Sequence, residues 1–133
     1  MKTFIVHGKN RAGEMANLTG ALAAKNVNVL ITVLGLNDKG VASFVASDET
    51  AAEAALKDAG YDFKMFPALT IRLNDKPGQV AEISRKLGDQ GVNIECFLPI
   101  SVTDDVVIAA IGVEDLEVAR KALTEYLVEY SYS

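Results

Sequence analysis

The chain has 133 residues, half of them apolar, with 13 Lys and Arg against 18 Asp and Glu and a net charge of −5. That size suits one compact domain or two small modules, and no stretch concentrates the basic residues needed to hold nucleic acid or an anionic membrane. The single cysteine, Cys96, excludes an internal disulfide, and the longest apolar run, Val27 to Leu36, is too short to span a bilayer.

Met1-Lys2-Thr3 runs at once into a strand pattern without the apolar core of a signal peptide, so a soluble cytoplasmic protein is expected. Phe4 to Val6 alternate as a short first strand. The loop Asn10-Arg11-Ala12-Gly13 then opens a helix whose Met15, Leu18 and Leu22 share one face. Asn26-Val27 turns the chain into a long second strand, and Asn37-Asp38-Lys39-Gly40 is hairpin chemistry leading to a third. Thr50-Ala51-Ala52-Glu53 has the pattern of a capping box for a second helix, which Gly60 ends. Tyr61 to Met65 completes the unit as a fourth strand.

From Phe66-Pro67-Ala68 the order begins again. Asn10 to Ala16 aligns with Asp75 to Ala81 at an offset of 65, which carries Leu18 onto Ile83, Leu22 onto Leu87 and Val27-Asn28-Val29 onto Val92-Asn93-Ile94. This register is expected to run ungapped as far as Val41 over Val106. Leu69 to Leu73 is then a first strand, and Val102-Thr103-Asp104-Asp105 a hairpin turn. Asp115 to about Tyr126 is a second helix, and Leu127 to Tyr132 the fourth strand. The expectation is an α+β fold of two tandem ferredoxin-like βαββαβ modules, 1–66 and 67–133, with antiparallel sheets and both helices on one face.

On the second strands, Val29, Ile31 and Val33, with Ile94, Cys96 and Leu98, are expected to face the helices. Leu30, Leu34 and Phe97 then lie on the far face, where another copy of the chain would cover them. Enzyme constellations are scarce. His7 is the only histidine, which rules out sites needing two histidine ligands and weakens a Ser-His or Cys-His pair. No metal or other cofactor is expected, and Asp104-Asp105 reads as an exposed turn.

The informative element is the loop before each first helix. Its glycine and the unpaired N–H groups of the helix start favour a small carboxylate. Pro77 suits the first helical turn. Asn10 or Asp75 can accept from an ammonium group, while Asn28 and Asn93 offer both donor and acceptor. Together these groups describe a site for an α-amino acid.

Asp75-Lys76-Pro77-Gly78-Gln79-Val80, the helix, and Gly91-Val92-Asn93-Ile94 resemble the signature of ACT domains. Asn10-Arg11-Ala12-Gly13-Glu14-Met15 with Asn26-Val27-Asn28-Val29 is a weaker copy. The resemblance covers nearly the whole chain and implies regulatory modules that pair side by side and bind an amino acid at their seam. By position it implies ligand contacts from Asn10, Gly13 and Met15, from Asp75, Gly78 and Val80, and from Asn28 and Asn93. The first loop departs from the pattern at Ala12 and at Glu14, whose carboxylate would oppose that of a ligand. The resulting expectation is a non-catalytic, homodimeric sensor that signals to a partner protein. The alternatives are a regulatory subunit with no ligand of its own and a small enzyme such as an acyl phosphatase. For the last, the glycine loops supply only Arg11, beside the acidic Glu14.

Overall fold

The computed structural model describes residues 1–132. In chain order the elements are β1 (Lys2–Lys9), α1 (Glu14–Ala23), β2 (Val29–Leu36), β3 (Lys39–Ala46), α2 (Glu49–Asp58), β4 (Asp62–Asn74), α3 (Gln79–Asp89), β5 (Cys96–Thr103), β6 (Val106–Gly112), α4 (Leu116–Ala122) and a 3₁₀ turn, Thr124–Tyr126. The fold is α+β, two βαββ-helix modules in tandem. Chain contacts divide it into one unit holding Phe4–Met65 and another holding Met1–Thr3 and Phe66–Ser131.

In the first module β3 lies between β2 and β1, antiparallel to both. Alternation along β1 turns Phe4 and Val6 inward, where they meet Leu18 and Leu22 of α1 and Ala52, Ala55 and Leu56 of α2. The Phe4 and Phe44 rings stack at 4.9 Å between centroids. The second module repeats this arrangement with β6 between β4 and β5. Its core gathers Ile71, Ile83, Leu87, Ile111, Ala119 and Leu123.

The ungapped register is corrected by the strand pairing. Phe4 opposes Phe44 and Leu69 opposes Ile111, so the third strands correspond at an offset of 67 rather than 65. Ile31 opposes Phe44 and Phe97 opposes Ile111, which sets the second strands at 66. One residue has entered before β5, and the register shift between Pro99 and Ser101, a bulge at Ile100, adds the second. Because side chains alternate along a strand, a slip of one exchanges the faces. Phe97 therefore packs into the helix-side core together with Ile94. Cys96 and Leu98 lie on the other face and are nevertheless buried. The expectation that Phe97 points outward is overturned.

Other expectations also change. The strand expected over Leu127 to Tyr132 does not form: α4 ends early in the 3₁₀ turn, and the following segment makes one bridge, Leu127 to Ile71. Two hydrogen bonds join Thr70 and Val128 there, from Val128 N to Thr70 O and from Thr70 Oγ1 to Val128 O. Helix α2 is capped by Asp48, which accepts from Ala51 N at 3.0 Å, and not by Thr50. Pro77 precedes the cap Gly78 and so stands outside α3. β5 starts at Cys96, several residues after the expected turn at Gly91-Val92. No helix among the described residues is long and apolar enough to cross a membrane.

Candidate functional site

Gly13 and Gly78 hold the same backbone conformation, φ 90° and ψ −14°, and each is the N-cap of its helix without a side-chain cap. That conformation is left-handed, which explains glycine at both positions. The first bonds into the helices run from Asn17 N to Gly13 O at 2.9 Å and from Glu82 N to Gly78 O at 3.0 Å. The backbone N–H groups of Met15, Ala16, Val80 and Ala81 have no acceptor among the described residues. Each helix thus presents free donors at the positive end of its dipole.

The two loops differ in what their leading residues do. Both are tied to a hairpin turn, Asn10 N to Asp38 O at 3.0 Å and Asp75 N to Asp105 O at 2.8 Å. The Asn10 side chain is also used, donating from Nδ2 to Asn37 O at 2.9 Å. It lies directly over Gly35, where a Cβ would overlap it. Asn10 is therefore a structural clamp. The Asp75 carboxylate is exposed and has no hydrogen bond or ion pair among the described residues.

Asn28 is fixed through its backbone, with its N–H donating to Ser47 Oγ at 2.8 Å and its carbonyl accepting from Ser47 N at 2.9 Å. Its side chain is left exposed. The Asn93 amide donates to Glu95 Oε1 at 3.0 Å. Within one module the loop and the asparagine lie at opposite ends of the first helix. That helix has 10 residues in the first module and 11 in the second, a separation of roughly 15 Å at 1.5 Å per residue. One module alone does not bring Gly13 beside Asn28, or Gly78 beside Asn93. Met15 and Val80 stand exposed on the first turns.

Sequence reasoning missed a cavity of about 50 Å³ in the first module, between the start of α1 and the sheet. Val6, Leu18 and Ala42 form its inner wall, with Gly8, Glu14 and Tyr61 also lining it. Glu14 does not project freely into the loop, because Arg11 Nε donates to its Oε1 at 2.5 Å. Burial, and then the Glu14 charge, push the Tyr61 hydroxyl above its ordinary pKa. At the matching position in the second module, Gln79 turns inward instead. Its Oε1 accepts from Asn74 N at 3.1 Å and its Nε2 donates to Glu82 Oε2 at 2.9 Å. Among the described residues no cluster of His, Cys, Asp and Glu could hold a metal ion.

Similar folds occur in protein BT0572 from Bacteroides thetaiotaomicron, with 24% identity, a TM-score of 0.74, and coverage of 93% of this chain and 86% of that one. The regulatory subunit of aspartate kinase from Thermus thermophilus, in its ligand-free form, is 18% identical with a TM-score of 0.64, over 93% and 91% of the two chains. Aspartate kinase from Synechocystis is 24% identical with a TM-score of 0.58, over 99% of this chain and 27% of that one. No curated protein matches the sequence. The family described as an ACT domain pair matches residues 1–130, and with the repeated loop and fold in hand, the chain belongs to the ACT domain pair family.

Proposed function

We propose that this chain is a non-catalytic regulatory protein, with modules 1–66 and 67–133, that binds a free amino acid and signals to a partner enzyme. The observation that carries the reading is the start of α3, where Gly78 leaves Val80 N–H and Ala81 N–H without acceptors beside the unengaged Asp75 carboxylate. The donors suit a ligand carboxylate, and Asp75 suits its ammonium group. Asn28, whose side chain is exposed, is also among the residues that the ACT resemblance assigns to a ligand. Asn10 is committed to its hairpin, so the first loop is the weaker candidate; Gly13, Met15 and Asn93 belong to that second, symmetric set. A regulatory role is supported by family membership and by the aspartate kinase regulatory subunit among the similar folds.

The chain works in the cytoplasm in this reading and associates with a second copy through β2. That strand bears Leu34 and Leu36, 65% and 73% exposed. Calorimetric titration of the twenty amino acids tests the site. A binder is expected, and Asp75→Ala should weaken it about ten- to a hundredfold, the effect of one charge-assisted hydrogen bond of roughly 1.5–3 kcal/mol. Silence from all twenty would refute ligand binding and leave a regulatory subunit without a ligand.

A further inference from the structure

The repeat supplies an internal control for the cavity beneath α1. Gly8 and Gly40 oppose each other on β1 and β3. At the matching places the second module has Leu73 and Val107, opposed on β4 and β6 and both in its core. A Cβ on Gly8 would meet nothing within 4 Å, so space that Leu73 fills in one module stays open in the other. The first helical residues differ in the same sense. Gln79 is folded in and only 7% exposed, whereas Glu14 turns aside to Arg11. Met15 and Val33, 49% and 44% exposed, form the mouth. Two departures from the repeat, at Gly8 and Glu14, act to open one cavity, while at Gly40 a Cβ would press on the Lys9 carbonyl oxygen at 3.1 Å, so that glycine serves the close approach of β1.

We propose that this cavity is a binding site, separate from the α3 loop, for a short aliphatic chain ending in an ammonium group. Its apolar inner wall rewards burial of methylene groups. Its volume of about 50 Å³ is well below the ~150 Å³ of a cavity that holds a benzene ring. It therefore takes a chain end of isopropyl size and no ring. The rim selects the charge. Arg11 engages Oε1 of Glu14 and leaves Oε2 as an acceptor for a second cation. Lys9 adjoins the cavity, but strand alternation sends its side chain to the face opposite Gly8. Two sources share this chemistry, a free alkylamine and an aliphatic amino acid.

The test titrates the full chain with ethylammonium, propylammonium, isobutylammonium and isobutyrate, following the amide resonances of Gly8, Met15 and Gly40. Affinity should rise about fourfold per methylene, and isobutyrate should bind at least about tenfold more weakly than isobutylammonium. Gly8→Leu, which restores the side chain of Leu73, and Glu14→Gln, which restores that of Gln79, should each abolish the shifts while the melting temperature holds or rises. If Gly8→Leu fails to fold, Glu14→Gln decides alone. A flat homologous series, equal binding of isobutyrate, or shifts that persist in Glu14→Gln would overturn the proposal. Leucine distinguishes the sources: shifts at Gly8 that survive Asp75→Ala assign the amino acid, and silence beside a binding amine assigns the free amine. Asp75→Ala also separates this site from the α3 reading, since loss of one leaves the other intact.

Discussion

Adding one methyl group at Gly112 tests how tightly the second unit is closed on its non-helical face. Gly112 ends β6, paired with Cys96 on one side and Ala68 on the other. A Gly→Ala change that the backbone tolerates ordinarily stabilises by about 0.4–1 kcal/mol, through the unfolded chain. Here the new Cβ would overlap Thr3 Oγ1 and lie 3.3 Å from both Thr3 Cβ and Cys96 Cβ. Thr3 is fully buried and Cys96 nearly so, and overpacking of this kind costs about 1–3 kcal/mol. The net expectation is a loss of about 1–2 kcal/mol. Unfolding entropy of about 2.1 cal/mol/K per residue converts that to a fall of about 4–7 °C in Tm, read by scanning calorimetry. Gly20→Ala and Gly88→Ala are the controls, because neither new Cβ meets anything within 4 Å. Each should gain up to about 1 kcal/mol of helix propensity. Thr3→Ala combined with Gly112→Ala should recover most of the loss, since Thr3 gives up only a long hydrogen bond to Phe66 O, 3.4 Å. A Gly112→Ala chain that melts at or above the parent, or strict additivity with Thr3→Ala, would refute the argument.

Gly13→Ala and Gly78→Ala should each cost about 1–2 kcal/mol in a denaturant titration, because both force an L side chain into the left-handed region; markedly unequal losses would contradict their shared geometry. Alkaline stability should reflect Tyr61. Burial, then Glu14, raise its folded pKa, so its contribution is complete below the ordinary value and is lost as pH rises through the folded one. Tyr61→Phe should flatten the fall in Tm above about pH 10, with a residual slope from Tyr126 and Lys86, both shifted upward as well. Leu34→Glu should leave the fold intact and shift light-scattering mass towards the monomer, and an unchanged mass would remove β2 as the contact between copies.

The legible part of this fold lay in features that repeat locally. Met15, Leu18 and Leu22 recur as Val80, Ile83 and Leu87, and a helix carries each set, although α3 starts after Pro77 and not with it. In sequence the two loop glycines mark places of close approach, and the structure shows why they are glycine, a left-handed backbone that most L residues adopt only at a cost. What escaped was anything set by pairing at a distance. The bulge at Ile100 had one mark in the sequence, the adjoining Pro99, a residue that sheets confine to edges, strand starts and bulges, but its part in moving the offset from 65 to 67 was set by the pairing. The orientation of Phe97 was inverted for the related reason that one inserted residue reverses a period of two. At the candidate site, Asn10 and Asp75 align in sequence and part company in structure, because only the first has Gly35 beneath it. The cavity was in principle readable by setting Gly8 over Leu73. Its significance depended on knowing that Leu73 is buried.

Cys96 gives the protein an intrinsic reporter. It is the chain's only thiol, buried on the non-helical face of β5. A thiol shielded in this way reacts with an alkylating reagent only when its surroundings open, and the labelling rate then measures the free energy of that opening. Because the first module carries no cysteine, the signal belongs to the second module alone. Ligands that engage the α3 loop should slow the labelling of Cys96 if the second unit opens as a whole, and the degree of protection would report how far opening at the loop and opening around Cys96 are one event.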